Sequence, residues 1–254
     1  MIANTRTTFR IALPPLLRLL LPSMISVIMS IIHAESIPGV EPLIAAAASN
    51  MTTSEGKEFY IAFGPGYDTD TLLVSISSAH APAQITIEEP GTGNSNLQVA
   101  ADSSVVHILP QTIRQENANV SQPKVVKIAS SSSLVTVSGL ANSEYVGEAY
   151  LALPLEALGT RYIVPGIWSS LPYSVGFLQI ITTDAQLVTN ITITTRVSTS
   201  SGSAGTYQLA LGPRMAWLLT TTGLPHELGG TEITGSAPFG VKLGHECTTL
   251  PPGE

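Results

Sequence analysis

Five histidines, a single cysteine and eighteen acidic residues are all that this 254-residue chain offers to reactive chemistry. Four of the histidines, His80, His107, His226 and His245, lie beyond the N-terminal leader described below. No pair of them has H-x-x-x-H spacing and there is no Cys-x-x-Cys, so the usual zinc frameworks are not written here. His107 falls inside an alternating run at 105–109 and reads as a strand-face side chain. His245 stands beside Glu246 in a closing turn, where a structural hydrogen bond is the simpler role and general-base work would need an acid from elsewhere. Asp68-Thr69-Asp70 places two carboxylates after Gly64-Pro65-Gly66-Tyr67, too few ligands for a calcium loop, and reads as a turn. Gly64-Pro65-Gly66 and Gly202-Ser203-Ala204-Gly205 do not open helices, so neither is a phosphate cradle. With no G-x-S-x-G elbow either, the sequence designates no catalytic, cofactor-binding or metal-binding residue. Trp168 and Tyr173 lie in a loop-like stretch, where they could contact a partner or pin one half of the chain to the other. Trp217, at period two with Met215 and Leu219, belongs to a core.

The elements that must carry these residues begin after a leader. Arg6, Arg10 and Arg18 precede an uncharged apolar run from 19 to 32, followed by a small residue at Ala34. That is the pattern of a secretory signal helix spanning 1–34, and Pro22 and its short length count against a membrane span, with a signal anchor as the rival. Cleavage there leaves eight basic against eighteen acidic residues, a net charge of −10. An acidic chain without basic runs repels phosphate, so nucleic acid and anionic membrane surfaces are poor partners. Secretion makes Asn50, Asn119 and Asn190 candidate N-glycosylation sites, each followed by X-Ser/Thr. Residues 35–56, proline-spaced and alanine-rich, read as a linker.

From Lys57 onward the period is two. Charged residues make up only 11 % of the chain, and serine and threonine hold the polar positions that suit exposed strand faces. Alternating runs between Gly, Pro, Asn and Ser clusters predict strands near 58–63, 72–77, 84–88, 97–100, 105–109, 125–129 and 134–138. A second series follows near 161–164, 177–182, 188–195, 207–211, 215–220, 231–234 and 239–243. The two series share an order. Ile128, Ser131 and Gly139 recur as Ile233, Ser236 and Gly244, Leu73 answers Leu178, and Ile85-Thr86-Ile87 answers Ile191-Thr192-Ile193. The expectation is an all-β chain of about 14 short antiparallel strands in duplicated sandwich-like repeats, 57–147 and 161–254, joined by a connector at 148–160. Within the connector a strand is ended by Pro154, residues 155–158 make one helical turn, and Gly159 suits a left-handed cap. Spacing leaves open whether the repeats are separate sandwiches or share one core.

Three motifs then come in order: Gly56-Lys57-Glu58-Phe59 with the aromatic strand after it; Tyr150-Leu151-Ala152-Leu153-Pro154 with Leu158-Gly159 and Tyr162; and Gly244-His245-Glu246-Cys247. Together they resemble the IgGFc-binding protein N-terminal domain family, over nearly all of residues 57–250. The resemblance implies an extracellular, all-β, non-enzymatic module of mucus- and adhesion-type proteins. Its partners would be extracellular proteins or glycoproteins, with downstream modules of the same full-length protein. The antibody Fc of the family's name is not carried over, since no residue here is tied to it. The resemblance also implies a second cysteine shortly after Cys247, so the chain reads as a fragment whose missing tail holds that partner. A free thiol is the other reading, against which stands the lack of a neighbouring basic group. A secreted hydrolase, which would need a cleft joining His245, Glu246 and an acid of the first repeat, and a structural spacer are the alternatives from other classes.

Overall fold

The structure, a computed structural model, describes residues 53–66, 71–142, 147–166, 174–222 and 227–245. The signal helix at 1–34, all but the last residues of the linker, and Asn50, Trp168, Tyr173, His226, Glu246, Cys247 and the Asp68–Asp70 pair lie outside these residues. The regular structure is almost entirely antiparallel strand. In chain order the strands are β1 (Glu58–Ile61), β2 (Thr71–Ser78), β3 (Ala83–Glu89), β4 (Gly93–Val99), β5 (Ser103–Leu109), β6 (Ser121–Gln122), β7 (Val126–Ser130), β8 (Thr136–Asn142) and β9 (Gly147–Leu151). They continue with β10 (Arg161–Ile163), β11 (Gly176–Thr182), β12 (Thr189–Thr195), β13 (Gly205–Leu211), β14 (Ala216–Thr220), β15 (Glu232–Gly235) and β16 (Phe239–His245).

The strands form four sheets, and their orders reveal the duplication. Sheet β1-β7-β3-β4 has its counterpart in β10-β15-β12-β13, and β5-β2-β8 in β14-β11-β16. Ladder register repeats as well: Ile87 faces Ile128 in the first repeat, and Ile193 faces Ile233 in the second. The turns entering β5 and β14 each hold a non-glycine residue in the left-handed region, Asp102 (φ 51°) and Arg214 (φ 53°). A conformation this uncommon, at one place in both repeats, marks a common template. Two strands break the symmetry. β9 extends the first repeat's second sheet beside β8, and β6 leaves the first repeat to pair with β14 of the second.

Each repeat buries its own apolar core between its two sheets, so the repeats are separate sandwiches. Phe59, Ile61, Leu72, Ile76, Ile87 and Ile128 are among the residues of the first core. Leu178, Ile180, Ile193, Trp217, Leu219 and Phe239 are among those of the second. A third, small cluster of Tyr60, Ala62, Val125, Ile181 and Ala216 lies between them.

Several expectations are corrected in detail. Leu73 does not correspond to Leu178: Leu72 is the fully buried residue of that pair, and Leu73 points to the opposite face. A shift by one residue exchanges strand faces, and a run such as Thr71-Leu72-Leu73-Val74 does not fix which leucine points in. Gly139 and Gly244 also occupy different faces. A Cβ on Gly139 would meet the Tyr150 ring, which packs against the first core, whereas one on Gly244 would meet Phe177 on the side away from Leu178. Gly159 is not left-handed. The 3-10 turn at Leu155–Ala157 closes on Leu158 in extended conformation (φ −73°, ψ 137°), and the Gly159 amide donates to the Tyr162 hydroxyl at 2.7 Å. β4 begins at Gly93 rather than near 97, because a three-residue loop with Gly91 at φ 78° returns the chain directly into the ladder.

Candidate functional site

The connector between the repeats gathers the first two motifs. Pro154 bridges Phe59 of β1, and a Cβ on Gly56 would stand 2.2 Å from Pro154 Cβ, so only glycine permits this approach. Tyr162 completes the hook. Its hydroxyl donates to the Phe239 carbonyl at 2.6 Å, and its ring meets Phe239 edge-to-face with centroids 4.9 Å apart. The connector is thereby fastened to β1 on one side and to β16 on the other.

Along this fastening runs a groove of about 230 Å³ at the seam between the sandwiches. Tyr60, Tyr150 and Tyr162 supply its aromatic surface, and Leu151, Leu153 and Leu158 its aliphatic surface. Leu151 and Leu153 are exposed. Alternation along β9 turns Tyr150 inward, where its hydroxyl donates to the Ala62 carbonyl at 2.9 Å, and turns Leu151 outward. Burial raises the Tyr150 phenol well above its ordinary pKa, and burial raises Tyr162 too.

Lys242 forms the base of the groove. It lies on β16, on the face opposite the second core, and is 8 % exposed. Its ammonium meets Glu148 Oε1 at 2.7 Å and stands 4.6 Å from the centre of the Tyr150 ring, with Phe63 and Phe177 at 5.7 and 5.8 Å. An ammonium over aromatic faces gains from the ring quadrupoles. Burial nevertheless lowers its pKa, against the opposing pull of Glu148.

Behind the groove the seam is polar and closed. Gln115 donates from Nε2 to the carbonyls of Val120 and Ala216 at 3.0 and 2.9 Å. Gln179 donates to Gln115 Oε1 at 2.9 Å and to the Phe63 carbonyl at 3.2 Å. Both glutamines are fully buried. At the far margin Lys127 pairs with Asp184 at 3.1 Å and Arg214 with Glu88 at 2.7 Å, each pair linking one repeat to the other. The Tyr60 phenol, buried and bonded to Glu58, is pushed up to about 12.

The structure scatters the histidines. His80 is exposed and 3.5 Å from Glu55, and His107 on β5 meets Glu89 at 2.8 Å. His245 ends β16 beside a cavity of about 10 Å³, room for roughly one water, and among the described residues its lining contains no carboxylate. Among the described residues no three His, Cys, Asp or Glu side chains converge on a metal position. Of the two described sequons, Asn190 is exposed on β12. Asn119 is exposed but engaged, donating to the Ser200 carbonyl at 2.7 Å and accepting from Ser201 at 2.6 Å. Of the motif residues, Lys57 is exposed, and Glu58 meets Lys127 at 3.5 Å. Sequence reasoning missed Lys242, Gln115 and Gln179. An alternating strand presents Lys242 and Gln179 as solvent-facing, Gln115 lies in an irregular segment, and only the packing of one repeat on the other buries them.

No curated protein matches the chain. Residues 148–254 match the family model described as IgGFc binding protein. The match takes in the connector motif and the closing turn, while Gly56-Lys57-Glu58-Phe59 lies before it. Over residues 148–254 the chain is thus similar to the IgGFc binding protein family, a family of binding rather than catalytic domains.

Proposed function

We propose that the chain is a secreted or cell-surface interaction module that performs no catalysis and holds extracellular protein, glycoprotein, mucus or matrix partners by contact. One observation carries this reading: the family-motif residues Tyr150, Leu151, Leu153 and Leu158 line a single aromatic and aliphatic groove with one buried cation at its base. Apolar anchors around a few fixed polar groups are the composition of a recognition site. The leader at 1–34 would deliver the module to the outside, and Cys247 would pair with a cysteine beyond the residues present here. The repeat boundaries at 57–147 and 161–254 are the natural units of such a module.

The test is retention of the purified chain on immobilised mucin and on immobilised IgG Fc, the ligand named by the family. Wild type is expected to be retained on at least one of them. Leu153→Asp, at an exposed position, is expected to weaken retention ~10-fold or more with an unchanged melting temperature. Retention indifferent to Leu153→Asp, or no retention on either surface, would remove the groove from the account.

A further inference from the structure

The outer face of the first repeat's β5-β2-β8 sheet is apolar where a solvated sheet face is expected to be polar. Ile108, Leu73 and Leu140 stand side by side across three strands, and Ala149 of β9 continues the row. Val106 lies on the same face of β5, and Val106 and Ile108 are 61 % and 68 % exposed.

The duplication shows what this kind of face does. Its counterpart in the second repeat is the outer face of β14-β11-β16, which carries Ala216 and Leu218 of β14, Gln179 and Ile181 of β11, and Lys242 of β16. All of these are buried, and the first repeat covers the face. The covering side is the edge strand β1, with Tyr60 packed against Ile181 and Ala216. Phe59 and Tyr162 stand opposite the corresponding isoleucines Ile128 and Ile233, so the counterpart of Tyr60 is Ile163 on β10. Ile163 is 62 % exposed, and among the described residues β10 pairs only on its β15 side.

Among its described residues one molecule thus carries the topological counterpart of each half of its internal seam, exposed: the accepting face on its first repeat, with Ser75 and Val106 where the seam has Ile181 and Ala216, and the inserting edge on its second. We propose that a second copy of the chain docks its β10 edge, with Ile163 at the centre, onto the Val106–Ile108–Leu73–Leu140 face, head to tail. Such an interface joins two different surfaces and leaves one of each free at the ends of a dimer. Its central residues, Ile163, Ile108 and Leu73, do not line the groove. Serines flank the accepting face where the internal seam has ion pairs, so the association is apolar and little affected by salt.

Sedimentation velocity of the purified full chain over a concentration series tests this. Wild type is expected to form dimers and larger species with rising concentration, equally at low and high salt. Ile108→Glu and Ile163→Glu, both at exposed positions, are each expected to weaken association ~10-fold or more, with melting temperatures unchanged. The two variants mixed are expected to form a one-to-one dimer and nothing larger, because each retains the half the other has lost. A wild-type chain that stays monomeric overturns the proposal, whatever other protein the face then takes. An Ile163→Glu chain that associates like wild type, or a mixture that stays monomeric, overturns it as well.

Discussion

The seam depends on single side chains in unusual surroundings, and their protonation sets its response to pH. For Tyr60, the phenol of the folded chain has its pKa raised by burial and by its bond to Glu58, from the ordinary 10.0 to about 12. The folded state therefore holds this proton more tightly than the unfolded chain. Its stabilising contribution is fully present below pH 10.0 and is lost as the pH rises toward 12. Lys242 has the opposite sign. Burial lowers its pKa, so the unfolded chain binds that proton more tightly and stability rises with pH up to the ordinary lysine value of 10.5. Urea midpoints measured across alkaline pH should fall beyond pH 10.0, and Tyr60→Phe should flatten that fall. An unaltered profile in Tyr60→Phe would contradict the assignment. Removing the charge opposite Lys242 has a separate cost. Glu148→Gln is expected to lower stability by about 1–2 kcal/mol, less than the ~3–5 kcal/mol of a fully buried pair because the carboxylate is partly exposed. Chemical denaturation at neutral pH reads it.

At the scale of elements, the second repeat is held by what the first sends across to it. β6 contributes only two residues to the β14 edge, while Gln115 from the same excursion satisfies the buried Ala216 carbonyl and the half-buried Val120 carbonyl. Gln115→Ala would leave the buried Ala216 carbonyl without this donor and is expected to cost about 1–3 kcal/mol, the range for one unsatisfied buried group. Combined with Gln179→Ala the loss should be less than additive, because the two amides share a hydrogen bond. Strict additivity in a double-mutant cycle would contradict a coupled seam. The elements also show what was legible from the residues alone. Alternation located most of the strands, because a half-buried antiparallel strand writes its two faces into the chain. The recurring Ile87 and Ile193 positions exposed the duplication. The slip from Leu72 to Leu73 and the late start given to β4 share a cause: where two adjacent residues are both apolar, or several are polar, only the pairing partner determines the face. β6 carried no signal, since two polar residues make a strand only when an edge awaits them.

At the scale of the whole molecule, two sandwiches with separate cores become one unit through a seam that combines an apolar cluster with buried glutamine hydrogen bonds, ion-paired at one margin and grooved at the other. The first two sequence motifs make sense together only at this scale. Gly56 and Phe59 brace Pro154, Tyr162 anchors the connector to Phe239, and β16 brings Lys242 beneath Tyr150. Family resemblance read from the chain identified these positions without saying why they must be glycine, proline or tyrosine. The packing supplies the reason: close approach at Gly56, and hydroxyl donors with nearby carbonyls at Tyr150 and Tyr162. The three described histidines, His80, His107 and His245, end up apart from one another and from the groove. The most direct examination of the account is amide hydrogen exchange of the chain, free and saturated with whichever of mucin or IgG Fc retains it. The account predicts slowed exchange in β9 and through residues 152–158, with β12 and β13 unchanged. Protection confined to β12 and β13, with the connector exchanging as it does in the free chain, would contradict it.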